Sequence, residues 1–580
     1  MSRNTSDQES GPKSSRSAVS RRGFLERMGA TPFAAAAAPS LPSWEALTSS
    51  IDRNAPAAAS KELLQRRIRA FEVRLYAAIG EAQLAFVDQV SNGDEDRYPN
   101  KIANFSKGLP HNGRGEVNLE AYQRLRDALQ SERPEDFELI PLGCSDPGRQ
   151  RKLVNPQASL AFDLEGTDSH QLAIPPAPAF ASAEAAGEMV ELYWQALLRD
   201  VPFTEYASTP LAKSASAELS RLSDFRGPKV NGNVTPGTLF RGLTPGDLSG
   251  PYVSQFLWKP IPFGAQYVEQ RMRCIRAGGG YGTNFQEWLD LQNGCAPLRP
   301  AQYESQRRYL VCGRDMAEWV HIDVLYQAYF NAALILSTAP DPKDDVIGGG
   351  MGAPVDRGNP YANSLTQDGF GTFGAPHWMA LLAEVSTRAL KAVWFQKWQV
   401  HRRLRPEEYG GRVHLMRAFT GFQYPAPQEI LQSAALEMTF RRFGSYLLPL
   451  AYPEGSPLHP AYGAGHATVA GACVTILKAF FDESFVIPNP VVASSDGLSL
   501  LPYRGPGWNE LTVGGELNKL AANVAIGRNF AGIHWRTDYT ASIRLGEAVA
   551  MSVLRDQKYT YNESSPVFRF TSFDGVAVEI

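Results

Sequence analysis

Three short clusters in the second half of the chain place basic and imidazole side chains where an oxyanion could be held. The first is Lys397-Trp398-Gln399-Val400-His401-Arg402-Arg403-Leu404-Arg405-Pro406. A helix over 378–404 is expected to carry it, and Pro406 pushes Arg405 out of helical geometry at its end. Eight helical steps separate Lys397 from Arg405, about 80° around the axis, so both can reach one anion from one side. The second cluster, His459-Pro460-Ala461-Tyr462-Gly463-Ala464-Gly465-His466-Ala467-Thr468, is a small-residue turn opening an apolar helix. Backbone N–H groups at such a start bind anions, and the glycines let a ligand approach the chain. The third is Gly527-Arg528-Asn529-Phe530-Ala531-Gly532-Ile533-His534-Trp535-Arg536-Thr537-Asp538. Gly532 can end one helix and let the next begin near His534. His534 and Asp538 are then four apart on the new helix, where the carboxylate orients or polarises the imidazole. Singly, the three read equally as a solvated basic face, capping or core histidines, and a surface His–Asp pair.

Together they form Lys-x7-Arg-Pro, then Gly-His, then Arg-x5-His-x3-Asp. In that order they resemble the superfamily of vanadium haloperoxidases and acid phosphatases, and are most similar to the algal-type vanadium bromoperoxidases. The motif likeness covers residues 390–545, with weaker likeness at Gly246-Asp247-Leu248-Ser249-Gly250-Pro251-Tyr252 and Gln327-Ala328-Tyr329-Phe330-Asn331. The resemblance implies an all-helical fold of bundles around a deep site for vanadate. It also implies roles. Lys397, Arg405, Arg528 and the Gly465 amide would bind equatorial vanadate oxygens, His534 would bond to the metal, and His466 would be the acid–base. His459 matches the extra histidine that bromoperoxidases carry seven residues before it. The implied reaction oxidises halide, bromide or iodide, with hydrogen peroxide to hypohalous acid, which halogenates small organic acceptors. Read as an acid phosphatase, the same pocket would use His534 as nucleophile, with His466 protonating the leaving group. His459 and the Lys397 to Arg405 step favour the haloperoxidase. Relatives assemble into dimers or larger shells, which implies a homo-oligomer, and some bind calcium, for which no residues of this chain can be named.

Two positions depart from the pattern. The family's Pro-Ser-Gly-His is Gly463-Ala464-Gly465-His466 here, so a hydroxyl contact worth about 1.5–3 kcal/mol is absent. The residue before Lys397 is Gln396, at a position tied to halide choice, so the preferred halide stays open.

The bulk numbers limit the alternatives. With 580 residues, 43% hydrophobic, the chain can bury a large core. Its net charge of −3 gives no basic field for nucleic acid, so any anion site is built locally. No His-Glu-x-x-His occurs among the nine histidines, which leaves zinc hydrolysis unsupported. The five cysteines are an odd count, and a Cys295–Cys312 disulfide is one arrangement open to them. Near the N-terminus, Ser20-Arg21-Arg22-Gly23-Phe24-Leu25 precedes an Ala-rich run. This looks like a twin-arginine export signal and points to a periplasmic or secreted protein. No later stretch is apolar enough over roughly 18–20 residues to span a bilayer.

The class expected is mainly α, helical bundles with long decorating loops fed by 50 glycines and 41 prolines. Helices are expected over 61–90, 181–206, 316–336, 378–404, 428–447, 468–482, 515–529 and 535–555, with a strand-like piece over 567–573. Three regions follow: a leader over 1–45, a helical and loop region over 46–310 packing on the core, and a helical-bundle core with the anion site over 311–580.

Overall fold

One helix organises the fold. Gly465–Phe480 buries every residue except His466, and an all-round apolar helix is stable only when enclosed. In the computed structural model, which describes residues 61–340, 350–563 and 566–580, it is enclosed by Ala375–Phe395, Val513–Phe530 and Arg536–Gln557. Its contact with Arg536–Gln557 is backbone to backbone. A Cβ on Gly471 would lie 2.0 Å from the Ile543 carbonyl oxygen, and one on Gly546 1.9 Å from that of Thr468. Only glycine permits this approach, which brings the start of one helix beside the start of the other. The second and third clusters stand there.

The chain divides into two compact units, Met1–Ala78 and Ile79–Ile580. Arg21 and Arg22 lie outside the described residues, and the first unit is seen only from Lys61, in the helix Lys61–Ala82. Segments between 79 and 310 belong to the same unit as the later helices. Among them Ala183–Leu198 is buried almost throughout and carries Glu188 and Glu191 into the interior. The remaining regular structure is minor. Three antiparallel hairpins pair Ile261–Phe263 with Gln266–Val268, Val491–Ala493 with Leu500–Pro502, and Arg569–Thr571 with Ala577–Glu579. No described helix is long and apolar enough to cross a membrane.

The mainly α class is as expected, but several helices are shorter or divided. The span 316–336 is two helices, Gly313–Trp319 and Gln327–Ser337. Val320, Ile322 and Val324 have χ1 restricted by β-branching, which disfavours helix between them, and Gln327 Oε1 accepts the Val324 N–H at 3.1 Å to start the second. The span 428–447 breaks at Ser433, whose hydroxyl accepts the Ala435 N–H, and ends at Gly444 with φ 73°. Four further helices are not expected from the sequence: Leu119–Ser131, Pro210–Arg221 and Phe285–Gln292, which are amphipathic, and Pro406–Ala418, which has no apolar period. The last contains Gly410 and Gly411, poor helix formers. A Cβ on Gly411 would lie 2.0 Å from the Trp288 indole, so the glycine there serves tertiary packing.

The disulfide joins Cys144 to Cys295 instead of Cys295 to Cys312. Backbone bonds from Ala296 N to Arg149 O and from Arg151 N to Gly294 O hold the first pair's segments together. Cys312 pairs its backbone with Pro202 elsewhere and is a free buried thiol, as are Cys274 and Cys473.

Candidate active site

Ala375–Phe395 does not run on to Leu404. It gives way to a π-helical turn, Gln396–His401, closed by an Arg402 N–H to Lys397 O bond of 3.0 Å. Arg402 then turns left-handed with φ 39°, and Arg405 becomes the N-cap of Pro406–Ala418, its N–H donated to Glu408 Oε2. Lys397 and Arg405 therefore belong to different helices, although both are buried at one place. The expectation of two side chains on one helix is corrected. Pro406 begins a helix here because its missing N–H is not needed at a first helical position.

Arg405 joins all three clusters. Its Nε donates to His459 O at 2.9 Å and its Nη1 to Ile533 O at 2.8 Å. Nη1 and Nη2 also reach His534 Nε2 and His459 Nδ1, each at 2.9 Å. A guanidinium only donates, so both histidine nitrogens must accept. His534 is thereby the neutral tautomer with its proton on Nδ1, which lies 2.6 Å from Asp538 Oδ2. Burial, followed by Arg405 and Lys397, holds its pKa well below the usual imidazole range. Its Nε2 thus offers a lone pair, the form in which histidine ligates a metal. His534 precedes Trp535, the N-cap of Arg536–Gln557, so it sits at the corner and not on the helix as the sequence suggests. Asp538 also accepts the Trp535 N–H and Arg403 Nη1. Burial raises its pKa to about 6, with Arg403 working against that.

Lys397 is fully buried and donates to Pro460 O at 2.7 Å and Ala461 O at 3.0 Å. Burial and then Arg405 push its pKa well below that of an ordinary lysine. Arg405, buried likewise, is pushed down to about 9, with Asp538 partly offsetting the burial. Arg528 donates to Val320 O at 2.7 Å, and its Nε is buried without a partner. The guanidinium carbon lies 5.4 Å from the ring centre of Tyr452. Gly465 is the first residue of its helix, so its N–H has no intrahelical acceptor. A Cβ there would press within 3.3 Å of the Trp394 ring, the ring that also packs 4.8 Å from that of His459.

These observations favour an oxyanion. Lys397, Arg405 and Arg528 hydrogen-bond only neutral acceptors, and buried uncompensated charge is costly unless an anion joins it. His459 is held neutral by burial, Lys397 and Arg405, and its Nδ1 is engaged by Arg405. His466 follows Gly465 at the edge of the group, with about a quarter of its side chain exposed and Nε2 3.1 Å from Asp323 Oδ1. Ala464 is buried, caps nothing with its side chain, and donates its N–H to Ser542 Oγ at 2.8 Å.

The structure thus gathers every residue singled out from the sequence, with His466 at the rim. It adds Asp323, Tyr452, Trp394 and Ser542, and gives Arg403, which lies in the first cluster, a role in holding Asp538. None stands at a motif spacing from its partner, and only the Pro-Gly-rich context of Tyr452 and the His-x-Asp of 321–323 mark two of the added places in the sequence.

Comparison with known proteins agrees with this geometry. A family model described as the VCPO second helical-bundle domain matches residues 377–563. The vanadium-dependent bromoperoxidase of Corallina officinalis is 36% identical over 89% of this chain and 99% of its own length. That of Ascophyllum nodosum is 34% identical over 89% of this chain and 92% of its own length. The homohexameric structure of the second vanadate-dependent bromoperoxidase of Ascophyllum nodosum superposes with a TM-score of 0.83 at 30% identity, covering 96% of this chain and 95% of that one. The chain belongs to the vanadium-dependent bromoperoxidase family.

Proposed function

We propose that the protein is a vanadate-dependent haloperoxidase that oxidises bromide or iodide with hydrogen peroxide. The observation that carries this is Arg405, whose four contacts draw the three clusters into one buried, positively charged group beside a histidine lone pair. When bound, vanadate supplies Lewis-acid activation of peroxide. His534 Nε2 would ligate it, and Lys397, Arg405, Arg528 and the Gly465 N–H would hold its oxygens. Asp538, kept in place by Arg403, holds the proton on His534 Nδ1, so that the Nε2 lone pair, which accepts from Arg405 Nη1, is the one the metal would take. His466 takes and returns protons, and Asp323 on its Nε2 sets which ring nitrogen faces the site. His459 orients Arg405 from behind.

Peroxide-dependent bromide and iodide oxidation, restored to vanadate-free protein by vanadate and competed by phosphate, is expected. Phosphomonoester hydrolysis without halide oxidation at full vanadate occupancy would transfer the assignment to the acid phosphatase chemistry. Two further readings accompany the first. The homohexameric Ascophyllum relative supports a homo-oligomer, which sedimentation of the purified protein tests. The Arg21-Arg22 pair supports export, and replacing both with Lys should abolish accumulation outside the cytoplasm.

A further inference from the structure

His321 lies in the turn over 320–326 and takes no part in holding the anion. Both of its ring nitrogens face carboxylates: Nδ1 is 3.2 Å from Glu318 Oε2 and Nε2 is 2.6 Å from Glu454 Oε1. Carboxylates accept, so both nitrogens must donate, and only the imidazolium has two N–H groups. Burial alone lowers the ring's pKa, but hydrogen bonds to the two glutamates and their charges outweigh it and raise it to about 9. The neighbouring charged groups do not alter this. Lys107 is paired with Glu407, and it and Arg151 also donate to the Glu454 carbonyl oxygen. Tyr303 lies in the field of Glu318 and Glu454, and Arg528 contacts the Tyr452 ring.

The ring lies flat on Tyr452, 3.8 Å between centres with 9° between planes. Tyr452 in turn contacts the Arg528 guanidinium and donates its hydroxyl to Ala317 O. The Arg528 Nη1 rests on Val320 O, the residue before His321. Two separate stretches of chain, 317–321 and 452–454, therefore form the seat of Arg528, and His321, with the Tyr452 hydroxyl on Ala317 O, ties them together. Among the described residues, Arg528 has no carboxylate partner of its own to hold it.

We propose that His321, as an imidazolium clamped between Glu318 and Glu454, is a positioning residue that fixes Tyr452 and the Val320 carbonyl and so aims Arg528 at the bound oxyanion. This rests on the vanadate reading above. The affinity of vanadate-free protein for vanadate, and for inorganic phosphate, should fall about tenfold in His321→Gln, the worth of one misdirected charged hydrogen bond. Tyr452→Leu should match it, Tyr452→Phe should keep most of the affinity, and the His321→Gln/Tyr452→Leu double variant should be no weaker than either single one. Independently, the nitrogen NMR spectrum of His321 in the wild-type protein at pH 7 should show two protonated nitrogens, and Glu454→Gln should remove one. Wild-type affinity in His321→Gln, or a single protonated nitrogen in the wild type, overturns the proposal. A wild-type protein that binds neither anion instead sinks the vanadate reading itself.

Discussion

Arg402 and Arg403 leave the same turn of chain as Arg405 for different surroundings. Arg402 meets Glu95, and Arg403 meets Glu188 and Asp538. Burial pulls both guanidinium pKa values down, yet the carboxylates outweigh it and leave both raised. Two residues further on, Arg405 hydrogen-bonds carbonyls and neutral imidazoles, and its pKa is pushed down to about 9 by burial. Lys397 and Arg528 likewise hydrogen-bond neutral acceptors. Arg402 and Arg403, each with its own carboxylate, hold the fold, whereas Arg405 bonds only neutral groups and is left able to meet an external anion. Lacking a carboxylate is not enough by itself, since Arg199 is buried against carbonyls elsewhere; the site is marked by several such cations gathered around His534.

The comparison can be broken most directly by exchanging each arginine for methionine. Arg403→Met leaves Glu188 and Asp538 buried without their cation and should cost about 3–5 kcal/mol of stability. Arg405→Met in the vanadate-free protein should cost less than Arg403→Met, since removing an uncompensated buried charge offsets the loss of its bonds to neutral acceptors. Its anion affinity should nevertheless drop by roughly 10²-fold or more. Denaturant unfolding with and without phosphate measures both. Equal destabilisation by the two would erase the distinction between them.

Within the site, His534→Ala should abolish vanadate binding and activity together. His466→Ala, altered at the rim, should retain vanadate while turnover falls about 10²- to 10⁴-fold. Vanadate titration set beside bromination rate separates the two, and equal loss of vanadate would show that His466 is a binding group.

Proton linkage gives a smaller effect. An anion favours the charged forms of Arg405 and Lys397, whose pKa values are depressed in its absence. Between the depressed and the restored pKa, phosphate binding should take up protons. Calorimetry at pH 9 in two buffers of different ionisation enthalpy should therefore report uptake that Arg405→Met reduces. Release of protons would mean that the cations are already compensated.

Ala464→Ser should change least. As N-cap of Gly465–Phe480, a serine adds a hydroxyl where the side chain now caps nothing, worth about 0.5–2 kcal/mol to the helix. Vanadate should tighten modestly, by under about tenfold. Thermal unfolding and vanadate titration of the one variant read both, and tightening without stabilisation would place the hydroxyl on the anion alone.

How much of this was legible in the chain follows from the range of each interaction. The three clusters could be read because Pro406, Gly465 and Gly532 act on their immediate neighbours. The contrast among Arg402, Arg403 and Arg405 could not, since Glu95 and Glu188 lie 307 and 215 residues away from their arginines. The same holds for Asp323 and His466, 143 apart. Long, predominantly apolar helices, such as Gly465–Phe480 and Val513–Phe530, were evident because no proline interrupts them. Pro406–Ala418 was hidden because Gly410 and Gly411 answer to Leu448 and Trp288 in space and not to helix propensity. The Cys144–Cys295 pairing, 151 residues apart, is of the same long-range kind.

The π-helical turn at Gln396–His401 sets a rule on length. It holds one more residue per turn than the α-helix before it, bonding Arg402 N–H to Lys397 O five residues back. Deleting any one residue between Phe395 and Arg402 would let the turn relax to α geometry, and each residue of an α-helix advances about 100° around the axis. Everything downstream would be rotated by that amount, carrying Arg405 away from His459 and His534 while leaving composition and motif letters almost unchanged. Surface loops of this protein can gain and lose residues through evolution, but these six are fixed in number, and at Lys397 in kind as well, so related chains should align across them without a gap.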